Sequence, residues 1–301
     1  MVVQISNLSA MPGPRGGDSS SHPRRGVSLP IAGAPRVGLS SAPVPPRQVL
    51  FAAVAGVVHP MNTIPLTSRM DRIGIRCNTD KASLGRSRLR PGQSVAERSV
   101  GHDYLRKYEF FLEKYAAKPD YRMMELGAGP EWNIGASVRL WEEYFWRDDF
   151  RLHVVDLKPT ADSLANERVT VTVGDLGDTE LLRQLAASAY DVILDDASHL
   201  WGHQLLAFEI LFPAVREGGL YIIEDIETSF GLNREPWSQG LEADTYTILS
   251  HLAALVAGRG REHPLLSNAG LHDHPALGFW RDIESVTVVN DACLIAKTKY
   301  Y

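Results

Sequence analysis

The sequence predicts an α/β fold: a mostly parallel, seven-stranded sheet that closes with an antiparallel hairpin at its C-terminal end. Three observations carry that reading. Between residues 121 and 257, β-rich runs alternate with helical stretches, the pattern of strands joined by crossover helices. Two further β-rich runs near the C-terminus are separated only by Asn290-Asp291, a link that fits a tight hairpin. Glycines and acids recur where successive β-rich runs end, and those ends are where an open parallel sheet binds ligands.

The elements follow in chain order. Tyr104, Tyr108, Phe111, Leu112 and Tyr115 recur at spacings of three and four, so a helix is expected over Ser94–Lys118, stopped by Pro119-Asp120. Tyr121–Leu126 reads as a strand and Ala136–Phe145 as a helix. Arg151–Leu157 and Val169–Val173 read as strands, with a helix at Thr179–Ser188. Asp191–Asp195 is a strand, Trp201–Arg216 a helix ended by Gly218-Gly219, and Leu220–Glu224 a strand. Thr245–Ala257 is helical, and Glu284–Val289 with Ala292–Thr298 form the closing hairpin. No internal repeat is evident.

Hydrophobic residues make up 44% of the 301-residue chain and charged residues 22%, enough apolar material for a full core. The net charge of −5 conceals a split. Residues 1–60 carry five arginines, one acid and nine of the eighteen prolines, a balance of +4, while the rest of the chain stands at −9. Such a first segment is expected to be a disordered tail or to precede the true start, at Met61 or Met70. A targeting segment fits less well, because Arg24-Arg25 lies more than twenty residues before the apolar stretch Val49–Val58. Residues 61–118 then read as a helical cover segment and 119–301 as the catalytic domain. The acidic body argues against nucleic acid as a partner, and no apolar run is long enough to cross a membrane. Cys77 and Cys293 are far apart and outside any Cys/His cluster, which excludes a thiolate zinc site and a disulfide framework and makes a cytoplasmic location the expectation.

The candidate site residues sit at strand ends. The first strand runs into Glu125-Leu126-Gly127-Ala128-Gly129, where Gly127 and Gly129 let backbone approach a ligand. A dinucleotide fingerprint would need a third glycine at position 132, which is Trp132. Asp156, ending the second strand, can accept from both hydroxyls of a ribose. Asp175 ends the third strand. The fourth and fifth end in Asp195-Asp196-Ala197-Ser198-His199 and Glu224-Asp225. Adjacent strands would point Asp196, Glu224 and Asp225 into one cleft, where three carboxylates repel unless a cation or protons intervene. Oxygen donors without thiolates suit Mg²⁺, and His199, three residues beyond Asp196, is suited to removing a hydroxyl proton. The blander alternative makes Asp195, Asp196 and Ser198 helix caps and the other acids solvated loop residues.

A parallel sheet closed by an antiparallel hairpin resembles the class I S-adenosylmethionine-dependent methyltransferases. More specifically, Asp195–His199 with His203, Gly218–Asp225, Gly135–Phe145 and Gly174-Asp175 resemble the metal-dependent sugar O-methyltransferases of macrolide tailoring, the mycinamicin and demethylmacrocin type. Thr79-Asp80-Lys81 and Gly101-His102-Asp103-Tyr104 resemble segments that fold over the cofactor in that family. Pro130–Ile134 departs from it by lengthening the connection after the first strand. The resemblance implies cofactor contacts from Glu125, Gly127, Gly129, Asp156, Asp175 and Asp195, metal ligands Asp196, Glu224 and Asp225, and His199 as general base. It implies S-adenosyl-L-methionine and Mg²⁺ as cofactors. The partner would be a small-molecule hydroxyl acceptor such as a glycosylated natural product, with a homo-oligomer left open. Two other functions stay in view: a cephalosporin-hydroxylase-like oxidative or hydrolytic enzyme, for which no His-x-Asp iron triad is evident, and a cofactor-binding protein without catalysis.

Overall fold

The computed structural model of the chain describes residues 68–86, 98–232, 234–261, 271 and 273–299. The expectations for residues 1–60 lie outside these. The described residues begin with a helix inside the expected helical cover segment whose bounds the sequence reading does not give, α1 (Arg69–Cys77). Ser68 caps it by accepting from the Asp71 amide, and Asn78 ends it in the left-handed region at φ 63°.

A short antiparallel pair follows, β1 (Leu84–Arg86) with β2 (Arg98–Val100), and then α2 (Leu105–Ala116). The helix expected over Ser94–Lys118 is therefore shorter. Arg98–Val100 pairs with β1 instead, and Gly101 lies so close to the Ala82 carbonyl that a Cβ there would sit 1.9 Å from it. Residues 94–97 are outside the described set.

The main sheet contains β3 (Arg122–Leu126), β4 (Arg151–Asp156), β5 (Val169–Val173), β6 (Tyr190–Asp195), β7 (Val215–Ile223), β8 (Ile283–Val289) and β9 (Ala292–Lys297), in the order β5-β4-β3-β6-β7-β9-β8. The first five strands in that order are parallel, and β9 is antiparallel to both neighbours. The crossovers carry α3 (Ala136–Tyr144), α4 (Thr179–Leu185), α5 (Trp201–Leu211) and α7 (Thr245–Gly258), with a single turn, α6 (Glu235–Ser238), before the last. The seven-stranded α/β sheet with its closing hairpin is thus as the sequence predicts. One boundary differs: the helix expected through Arg216 ends at Leu211 because Pro213 interrupts it, and the following strand begins at Val215 and runs through Gly218-Gly219.

Side-chain alternation along the strands divides the core in two. Met123, Val192, Leu194, Leu220, Ile222 and Leu294 face a cluster with α1, α2 and α3. Met124, Ile193, Tyr221, Ile223, Cys293 and Ile295 face a second cluster with α5 and α7. Both faces of the sheet are covered, so β6 is buried along its whole length. The chain leaves β3 toward one edge through β4 and β5, then returns to the other side through β6 and β7. The switch point lies between β3 and β6, and there the strand ends are level, with Leu126 opposite Asp195 and Asp195 opposite Ile223.

Candidate active site

A cavity of about 490 Å³ opens at that switch point, within the range of small-molecule sites. Its floor is the turn after β3. Gly127 has φ +95°, and a Cβ on it would lie 2.1 Å from the Asp196 carbonyl oxygen, so the β3 and β6 loops meet there only because residue 127 is glycine. Gly129 also lines the cavity, at φ +88°. Asp156 clamps the same turn: its two oxygens accept from the amides of Ala128 and Lys158, each at 2.7 Å. Asp175 lines the far side and accepts from the Gly177 amide at 2.8 Å. The inserted Glu131–Asn133 forms a 3-10 turn whose Asn133 amide donates to the Asn78 carbonyl at 2.8 Å, tying the turn to the end of α1.

At the other end of the cavity, Asp196, His199 and Asp225 converge, each offering a ligand atom within 4.8 Å of the others. His199 and Asp225 are both held in the left-handed region, at φ 56° and 55°, a conformation that bulky residues keep only when the surroundings over-determine it. His199 Nε2 lies 3.3 Å from Asp225 Oδ2, while Nδ1 is buried without a hydrogen bond. Nε2 is therefore the ring nitrogen that a molecule in the cavity can reach. The capping alternative is not what the chain does: the N-cap of α5 is Leu200, with no side-chain cap, and Ser198 pairs with His203 Nδ1 at 3.0 Å.

Three expected site residues take other positions. Glu125 and Asp195 are absent from the cavity lining and lie beneath it, both fully buried. Burial pushes each carboxyl up to about 7. Glu125 accepts from Ser137 Oγ at 3.0 Å, and the Lys81 ammonium, itself part of the cavity wall, stands 4.0 Å from its other oxygen. Glu224, expected beside Asp225 as a ligand, is directed into the protein: one oxygen accepts from Tyr108 at 2.9 Å and the other from Lys81.

The further residues of the acid end come from the N-terminal part, where Lys81 and Tyr104 lie in the segments expected to fold over the cofactor but were given no role of their own. Lys81 bonds Asp196 and Glu224 together, and Tyr104 donates to Asp225 Oδ1 at 2.8 Å. Burial opposes the charge on Lys81, but the Asp196, Glu224 and Glu125 carboxylates outweigh it and hold the ammonium well above the usual lysine range. Burial also raises Tyr104 and Tyr108, which keeps both hydroxyls as donors. Tyr104 and Tyr108 carry a legible trace, since their four-residue spacing puts them on one face of α2, but that face reads equally well as core.

No family model matches the chain. Over 135 residues, 43% of its length, the chain is 35% identical to demethylmacrocin O-methyltransferase of Streptomyces fradiae, covering 33% of that protein. Over 199 residues, 59% of its length, it is 34% identical to 8-demethyl-8-alpha-L-rhamnosyl tetracenomycin-C 2'-O-methyltransferase of Streptomyces olivaceus, covering 50% of it. Among solved structures, the MycE methyltransferase from the mycinamycin biosynthetic pathway, in complex with Mg and SAH, aligns with 76% of this chain and 55% of its own. The TM-score is 0.55 and the identity 23%. Over part of its length the chain is thus similar to these O-methyltransferases. Its fold, a mostly parallel seven-stranded sheet with antiparallel C-terminal strands, is shared with that methyltransferase structure. It spans a third to a half of the length of the sugar O-methyltransferases it matches.

Proposed function

We propose that the chain is an S-adenosylmethionine-dependent, Mg²⁺-assisted O-methyltransferase acting on a hydroxyl of a small-molecule secondary metabolite, a sugar or polyol in particular. The observation that carries this reading is the single cavity joining the glycine turn and Asp156 to the Asp196–His199–Asp225 cluster. Two carboxylates and an imidazole close together are a fitting donor set for a hard divalent cation, which Asp196 and Asp225 would hold with the remaining positions left to water or acceptor oxygens. S-adenosylmethionine would supply an activated methyl group, and the cation would supply acidity toward the acceptor oxygens.

The chain's own residues do the rest. Gly127 and Gly129 admit the cofactor close to the backbone, Asp156 receives its ribose hydroxyls, and Asp175 borders the adenine side. His199 Nε2 takes the proton of the acceptor hydroxyl, and Asp225, 3.3 Å away, stabilises the imidazolium that forms. The acceptor oxygen, freed of its proton, forms the new bond to the methyl carbon as the sulfur–methyl bond breaks, leaving a neutral thioether. Trp237 on α6 packs beside His199, its ring centred 6.1 Å from the imidazole. The oxidative alternative fits the donor set less well, because a non-haem iron triad calls for two histidines and one carboxylate; His203 is paired with Ser198 instead.

We also place the protein in the cytoplasm: Cys77 and Cys293 are both free thiols, and among the described residues no helix is long and apolar enough to cross a membrane. Calorimetric titration with S-adenosylmethionine, with and without Mg²⁺, tests the reading, together with mass spectrometry of glycosylated metabolites incubated with the protein. Binding and the gain of one CH₂ unit support it. Failure to bind the cofactor, or a product gaining oxygen, overturns it.

A further inference from the structure

We infer that His203 is a specificity-determining residue of the cofactor site: held by Ser198, it presents Nε2 beside Asp175, and the two groups together read the amino edge of the adenine base. This rests on the S-adenosylmethionine-dependent reading above and gives a role to a cavity residue that the reading leaves without one.

His203 is half-buried in the first turn of α5 and lines the cavity together with Ser198 and Asp175. Its Nδ1 is taken by Ser198 Oγ at 3.0 Å. That hydroxyl already accepts from the Leu200 amide at 3.4 Å, which leaves its own proton for Nδ1 and puts the proton of the neutral ring on Nε2. Nε2 has no hydrogen-bond partner among the described residues. A Cβ on Gly177 would lie 3.1 Å from His203 Nε2 and 3.4 Å from Asp175 Oδ1, so the imidazole and the carboxylate flank a residue with no side chain of its own. Asp175 Oδ1 accepts from the Gly177 amide at 2.8 Å, which fixes the carboxylate and leaves Oδ2 to a ligand. One donor and one acceptor thus stand side by side, brought together from α5 and the loop after β5.

The surroundings suit a flat heteroaromatic ring. Leu157, 66% exposed despite its apolar side chain, lines the cavity with the buried Leu176 and with Ala197, from the loops after β4, β5 and β6. Apolar walls take up the faces of such a ring, and a few polar groups at its edge fix its orientation. Adenine carries there an amino group, which donates, next to ring nitrogens, which accept. That edge complements a carboxylate beside an Nε2–H. Hypoxanthine carries a carbonyl and a ring N–H instead, so it sets carbonyl against carboxylate and N–H against N–H, and leaves both protein groups unpaired.

Calorimetry on the full chain with S-adenosylhomocysteine and its deaminated analogue, S-inosylhomocysteine, tests the assignment. The unaltered protein is expected to prefer the adenosyl compound by at least about tenfold. His203→Leu removes the donor at similar volume. It should weaken the adenosyl compound about three- to tenfold and the inosyl compound by less than about twofold, so that the preference shrinks. His203→Gln, whose side-chain amide supplies a donor again, should keep the preference within about twofold of the original. Equal losses for both compounds in His203→Leu, or no loss for either, make His203 a packing residue and overturn the assignment while the proposed function stands. Binding of neither compound by the unaltered protein overturns both. Should urea denaturation show that His203→Leu does not fold, His203→Asn, which withdraws the donor from the Nε2 position, decides by the same ratio.

Discussion

The two ends of the cavity are built in different ways. The glycine-turn end is assembled from neighbouring strand ends: Gly127 seats against the β6 loop, and Asp156 clamps the Ala128 amide from the adjacent strand. Its polar work is done largely by backbone, which a parallel sheet positions as a by-product of its hydrogen bonding. The acid end is assembled from distant segments. Lys81 reaches Asp196 and Glu224 across 115 and 143 residues of chain, and Tyr104 reaches Asp225 across 121. A rigid scaffold suffices to receive a nucleotide-like cofactor, whereas gathering several carboxylates in one place needs donors brought from elsewhere.

The largest effect that separates the two ends is expected from His199→Ala. Turnover on an accepted hydroxyl substrate should fall about a hundred- to ten-thousand-fold, the usual contribution of a general base, while S-adenosylmethionine affinity is unchanged. Steady-state rates and calorimetry read the two quantities separately. Cofactor affinity that falls together with turnover would show the two ends to be one unit.

Gly127→Ala attacks the opposite end. Its backbone sits at φ +95° and its Cβ would meet the Asp196 carbonyl at 2.1 Å, so the β3 and β6 loops must move apart. Strain and overpacking together are expected to lower stability by at least about 2 kcal/mol. Urea denaturation measures this, and cofactor binding should weaken with it. Stability equal to that of the unaltered chain would mean that the turn yields freely and does not set the floor of the cavity.

The same contrast explains how much the sequence discloses. The strand–helix rhythm, the hairpin at Asn290-Asp291, Gly127, Asp156 and the Asp196–His199 pair are all read within a few residues of one another, because sheet geometry forces consecutive strand ends to line up. What is hidden depends on pairing across the chain. Nothing local marks Lys81 as the partner of Glu224, since a lysine in a polar loop ordinarily points to water. For the same reason the different partners of Glu224 and Asp225 are not legible: adjacency in sequence suggests a shared cleft, whereas the left-handed turn at Asp225 directs one side chain to His199 and leaves the other with Lys81. Arg98–Val100 reads locally as helix, because its pairing partner, β1, lies beyond any local pattern.

Tyr108→Phe tests how far the acid end relies on borrowed donors. The buried hydroxyl gives Glu224 its second hydrogen bond, at 2.9 Å, and removing it leaves a buried carboxyl oxygen short of a partner. A loss of about 1–3 kcal/mol is expected in urea denaturation, with S-adenosylmethionine affinity unaffected. A neutral result would indicate that Lys81 alone satisfies Glu224.

The smallest effect concerns Glu125, which lies between the two ends. Its ordinary carboxyl value is 4.5, burial raises it to about 7, and Lys81 pulls against that rise. Between those two pH values the folded chain keeps a proton that the unfolded chain has already released, so increasing pH through this window favours the unfolded side. Glu125→Gln has no such proton to lose. Its denaturation midpoint should therefore fall less steeply than that of the unaltered chain from about pH 4.5 to about 7, and the two curves should run parallel outside that window. Parallel curves throughout would show that Lys81, 4.0 Å away, and Ser137 offset burial fully, so that Glu125 ionises in the folded chain as it does in the unfolded one. In that case the lysine faces three ionised carboxylates rather than two, and the acid end extends beneath the glycine turn to include part of the end that is built largely from backbone.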